Sequence, residues 1–153
     1  MAREIDRDRF IIGVFQDAAW AQRGVEALLR DGFAADEITI LAKESPEAAG
    51  LIESTFGAPA DRVALKTLGP SVAHGRLVAT LQGVDNGLES SGLGATIGRA
   101  GFQAHDGYIY EALTGRGGIL VAVRSEPRAA DALARLHAYG GGNAAIGAWT
   151  GRV

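Results

Sequence analysis

Apolar positions along the chain follow two rhythms. Phe10–Phe15 and Ile119–Val123 are short runs rich in β-branched and aromatic residues, and they read as strands. Ala21, Val25 and Leu28 then recur in steps of four and three, as do Ala129, Leu133 and Leu136, and each set draws one stripe along a helix. Asp17 and Ser125 stand where a side-chain oxygen can accept the first unpaired amides of those helices. Gly32 and Gly140 stand where a left-handed residue ends them. A second strand closes each unit, at Ile38–Leu41 and Ala145–Trp149.

The two units are one pattern written twice. Phe10–Leu41 falls without a gap on Gly118–Trp149 at a spacing of 108 residues, so that Ile11 meets Ile119, Ala21 meets Ala129, Leu28 meets Leu136, Gly32 meets Gly140 and Ile38 meets Ile146. Two βαβ halves facing each other predict an α+β fold of the ferredoxin-like, split βαβ kind, a four-stranded sheet with helices on one face. Symmetry places the two first strands in the centre and the two second strands at the edges, where Glu37 and Thr39 supply polar alternation. The alternative is an open α/β sheet of the flavodoxin kind, which needs a fifth strand from the middle, with Arg62–Leu68 as its candidate. The expected organisation is a single domain over 9–149, with a first half 9–41, an insertion 42–117 and a second half 118–149. A flexible N-terminus, 1–8, and a tail, 150–153, flank it.

The insertion is rich in glycine and carries helix signals. Ser45-Pro46-Glu47 reads as N-cap, first helical position and acidic first turn, leading to a stop at Gly57. Leu68-Gly69-Pro70 marks a break. Further helices are predicted over Val72–Leu81, Leu88–Arg99 and Gln103–Thr114. Ser90, Gly94 and Gly98 recur every fourth residue, a spacing that lets two backbones approach closely. With Glu89 and Arg99 beside them, close packing in a bundle or at a subunit contact is the expected use. Gly117 and Gly118, where the insertion meets the second half, are read as close-packing positions too.

Composition narrows the chemistry. The chain has 153 residues, a formal net charge of −3, 22 glycines and no cysteine. The lack of cysteine removes disulfides, thiolate metal sites and cysteine nucleophiles. A near-balanced charge with dispersed basic residues gives no footprint for nucleic acid. The charged start lacks the apolar run of a secretory signal, and no window approaches about 18 uninterrupted apolar residues, so membrane insertion is not expected. A cytoplasmic protein is. Gly94–Gly101 lacks the preceding strand and the spacing of a dinucleotide loop, and no phosphate-binding G-x-x-x-x-G-K-[ST] pattern occurs. His74, His105 and His137 fall on separate predicted helices without metal-ligand spacing, so neither metal nor cofactor is expected. The densest set of reactive side chains is His105, Tyr108, Tyr110, Glu111 and Arg116, the candidate lining of a small-molecule site.

These residues resemble a known family. IIGVFQDAAWAQRGVEALLRDGFAADEITILAKE is similar to the opening of the heat-induced stress protein YflT family, also called the general stress protein 17M-like domain. Tyr110-Glu111, the run Gly117–Val123 and the alanine-rich helix Ala129–Leu136 resemble its second half, and Leu68-Gly69-Pro70 and Gly94–Gly98 its glycine-rich centre. The centre departs from the family in being more polar, with His74, Arg76, Gln82, Asp85 and Asn86, and Gly107 stands where an alanine is usual. The resemblance implies a bacterial, general-stress-associated protein and carries over no catalytic residue. The expectation is a non-enzymatic homo-oligomer, a dimer or larger, acting through self-association or partner binding. The alternative is a small-molecule-sensing ferredoxin-like domain with its ligand between subunits.

Overall fold

The computed structural model describes residues 10–66, 68–83, 87–97, 104–124 and position 134. Five strands, β1 (Phe10–Phe15), β2 (Ile38–Lys43), β3 (Asp61–Leu65), β4 (Gly69–His74) and β5 (Ile119–Arg124), form one sheet in the order β1-β5-β2-β4-β3. Every neighbouring pair is antiparallel, which excludes the flavodoxin-like alternative. The fold is α+β. β1 and β2 run in the same direction with β5 between them, and Gly13 pairs with Val121, the residue 108 positions further on.

Helices cover both faces, not the single face expected. Alternation along the strands explains this. Ile119, Val121 and Val123 of β5 join Phe15, Ile38 and Ile40 in one apolar layer, under α1 (Ala18–Arg30) and α2 (Pro46–Phe56). Leu120 and Ala122 join Phe10, Ile12, Val14 and Leu41 in the other, under the helices of the insertion. A strand apolar on both sides needs a layer on each. Those insertion helices are α3 (Arg76–Gln82), α4 (Gly87–Ser91), α5 (Leu93–Thr96) and α6 (Ala104–Gly115).

Local signals set the helix ends. Asp17 Oδ1 accepts the Trp20 amide at 2.9 Å at the start of α1, and Ser45 Oγ accepts that of Ala48 at 3.0 Å at the start of α2. α1 closes through Gly32 N–H to Leu29 O and Phe33 N–H to Leu28 O. α6 closes in the same way through Gly117 and Gly118 to Thr114 and Leu113, the paired bonds of a Schellman motif.

The insertion also corrects the sheet. Its β3–β4 hairpin pairs along β2, so β2 is an interior strand and not an edge. Glu37 and Thr39 accordingly act as caps. Glu37 Oε1 accepts the Ala34 amide at 3.0 Å, while Thr39, 1% exposed, accepts the Leu77 amide of α3 at 3.1 Å. The helix predicted over Val72–Leu81 begins at Arg76, because Ser71–His74 pair with β2 and Gly75, at φ +131°, breaks the chain between strand and helix. The helix predicted from Leu88 is interrupted at Gly92, at φ +92°. Apart from position 134, the second half's helix and strand, including Ser125, His137 and Ala145–Trp149, lie outside the described residues.

Candidate functional site

Of the five residues read as a ligand lining, Tyr108 and Tyr110 fall on different sides of α6. His105 lies in the first turn of α6, and its side chain is outside the described atoms. Tyr108 is 56% exposed, whereas Tyr110, on the other side of α6, is buried in the core with Leu113. The Glu111 carboxylate accepts the Gly94 amide at 3.2 Å, and Arg116 is exposed beyond the helix end. Glu111 is thus spent on the Gly94 amide and Tyr110 on the core.

Of the glycines singled out, Gly94 is a close-packing position. A methyl group there would sit 2.5 Å from Tyr108 Cδ1 and 2.9 Å from Glu111 Oε1. Gly107 faces it across the same crossing, where a Cβ would strike Ile97 Cγ2 and lie 2.8 Å from the Gly94 carbonyl oxygen. An alanine at that position would have no room. At Gly117 an added methyl group would meet nothing within 4 Å, and this glycine serves through its φ of +101° instead. Gly118 is buried beside it, and Gly98 is outside the described residues.

Polar side chains gather elsewhere, at the end of the sheet where β2 and β3 begin and β4 ends. A cleft of about 370 Å³ there is lined by Asp36, Ile38, Phe56, Asp61, His74 and Arg76, among others. Asp36 is held by the short turn Ala35–Glu37 before β2, Phe56 by the last turn of α2, and His74 and Arg76 by the two sides of Gly75. The His74 ring packs on Phe56 with centroids 4.3 Å apart and planes inclined by 37°. Asp61 Oδ2 lies 3.7 Å from His74 Nδ1, too far for a hydrogen bond. That nitrogen is buried and makes no hydrogen bond, an arrangement that costs about 1–3 kcal/mol. Sequence reading missed this cleft, because it set His74 in a helix and Asp61 thirteen positions earlier carries no local signal. A second cavity, about 600 Å³, runs beside the start of α2, and there Arg62 is already paired with Glu44 at 2.8 Å. Neither cavity is lined by the five residues on and after α6. Among the described residues no group of three His, Asp or Glu side chains could hold a metal ion.

The two ends of the sheet also differ. β3 presents Asp61 and Arg62, both exposed, and its Ala64 amide is taken by Glu89 Oε2 at 3.2 Å. β1, of sequence FIIGVF, carries no charge and has β5 as its one strand neighbour among the described residues. No helix of the described residues is long and apolar enough to cross a membrane. Comparison of the chain with family models, curated proteins and solved structures returned no match.

Proposed function

We propose that this chain is a non-enzymatic, general-stress-associated cytoplasmic protein that acts through self-association or partner binding at the β1 end of its sheet. The contrast between the two sheet ends carries the reading. Edge strands are templates for further pairing unless charge or a covering side chain blocks them. The β3 end has both devices, in Asp61, Arg62 and Glu89. β1 has neither.

The finer architecture is a ferredoxin-like split βαβ fold, extended by the β3–β4 hairpin. Its support is the pairing of Gly13 with Val121, which sets repeat-equivalent residues face to face, as a two-fold axis between the halves requires. The same axis would bring Ala145–Trp149, the counterpart of β2, beside β1. Residues 140–151 hold no charged side chain, so a rim formed by that segment would be uncharged as well. The resemblance to the general stress family supplies the link to stress.

Sedimentation velocity over a range of concentrations tests this reading. The wild type is expected as a dimer or larger, with Ala148→Lys shifting it to monomer and Arg62→Ala leaving it unchanged. A wild type that stays monomeric throughout, or an oligomer that Arg62→Ala dissociates, would overturn it.

A further inference from the structure

We propose that the cleft around His74 binds a small zwitterion of the free amino acid class. At about 370 Å³ it lies at the small end of ligand pockets, which run from about 300 to 1,000 Å³. Its lining combines apolar side chains, Phe56 among them, with a few polar groups. The polar groups carry both signs. Asp36 and Asp61 disfavour a simple anion, and Arg76 disfavours a simple cation or a bare metal ion. A ligand bearing an ammonium and a carboxylate satisfies both, the ammonium toward the two aspartates and the carboxylate on the Arg76 guanidinium, whose fork of donors suits it. The His74 ring, packed on Phe56, lines the same cleft, with Nδ1 3.7 Å from Asp61 Oδ2, and so reports on its occupancy. The ligand's apolar part then rests on Phe56. This inference is independent of self-association, since none of these residues lies at the β1 end.

The test is an NMR titration of the full chain with each of the twenty free amino acids, with butylamine and butyrate as single-charge controls. The imidazole signals of His74 are assigned by their loss in His74→Gln. At least one amino acid is expected to saturate at millimolar concentration or below and to shift the His74 signals. Asp61→Asn, Asp36→Asn and Arg76→Gln should each weaken that binding about tenfold or more while keeping the wild-type spectrum elsewhere, and Arg62→Gln should leave it unchanged. If no amino acid moves His74, or if butylamine or butyrate binds as tightly as any of them, the proposal fails. Binding that survives all three cleft variants would also overturn it.

Discussion

Gly75 and Gly107 each stand where one methyl group would collide with a neighbouring element. At Gly75 a Cβ would run into the Thr39 side chain and lie 2.6 Å from the Thr39 Cα, and the backbone, at φ +131°, is one that only glycine adopts readily. Gly75→Ala is therefore expected to abolish cooperative folding. Gly57→Ala, left-handed at φ +68° but with nothing within 4 Å, should cost only about 1–2 kcal/mol in urea denaturation. Gly107→Ala should cost about 1–3 kcal/mol by overpacking against Ile97 and the Gly94 carbonyl, and an unchanged midpoint would refute that crossing. Residues whose role is local were legible in the sequence. Asp17 and Ser45 cap amides three positions on, and Gly32 and Gly57 end the helices just before them. The collision at Gly75 was not, because its partner Thr39 comes from another strand.

Elements were legible in proportion to how much of their stability is local. α1, α2 and α6 show periodic apolar positions or strong caps, and their predicted bounds agree closely with those observed. β4, with sequence GPSVAH, opens on glycine and proline and has no strand-like alternation, so it takes its form from pairing with β2 and β3. With β4 unread, β2 looked like an edge and Thr39 like a solvated residue. The buried bond from the Leu77 amide makes Thr39 the cap of α3 across 38 residues of sequence. Thr39→Val, which keeps the shape and removes the acceptor, should destabilise the fold by about 0.5–2 kcal/mol. Thr39→Ser should recover most of that loss. Calorimetric unfolding of the two variants separates lost volume from a lost hydrogen bond. Glu89→Ala removes the cover from the β3 rim, and the Ala64 amide should then exchange with solvent faster while the interior strand β2 stays protected.

At the scale of the whole molecule, the sheet is buried between two helical layers, and its ends are unlike. The repeat at 108 residues foretold that β1 and β5 would be partners, and Gly13 opposite Val121 agrees with its register. It could not foretell the second helical layer, which the insertion builds from residues outside the repeat. The ligand cleft was hidden for the same reason, since the hairpin brings Asp61 and His74 together at the far end from β1. Self-association at the β1 end is tested most directly by amide hydrogen exchange, followed residue by residue at high and low protein concentration. Protection at the rim of the β1 end, across 145–149, is expected to fall on dilution, while β3 and β4 are unaffected. Protection at the β1 end that is indifferent to dilution, or a dilution effect confined to β3, would contradict it.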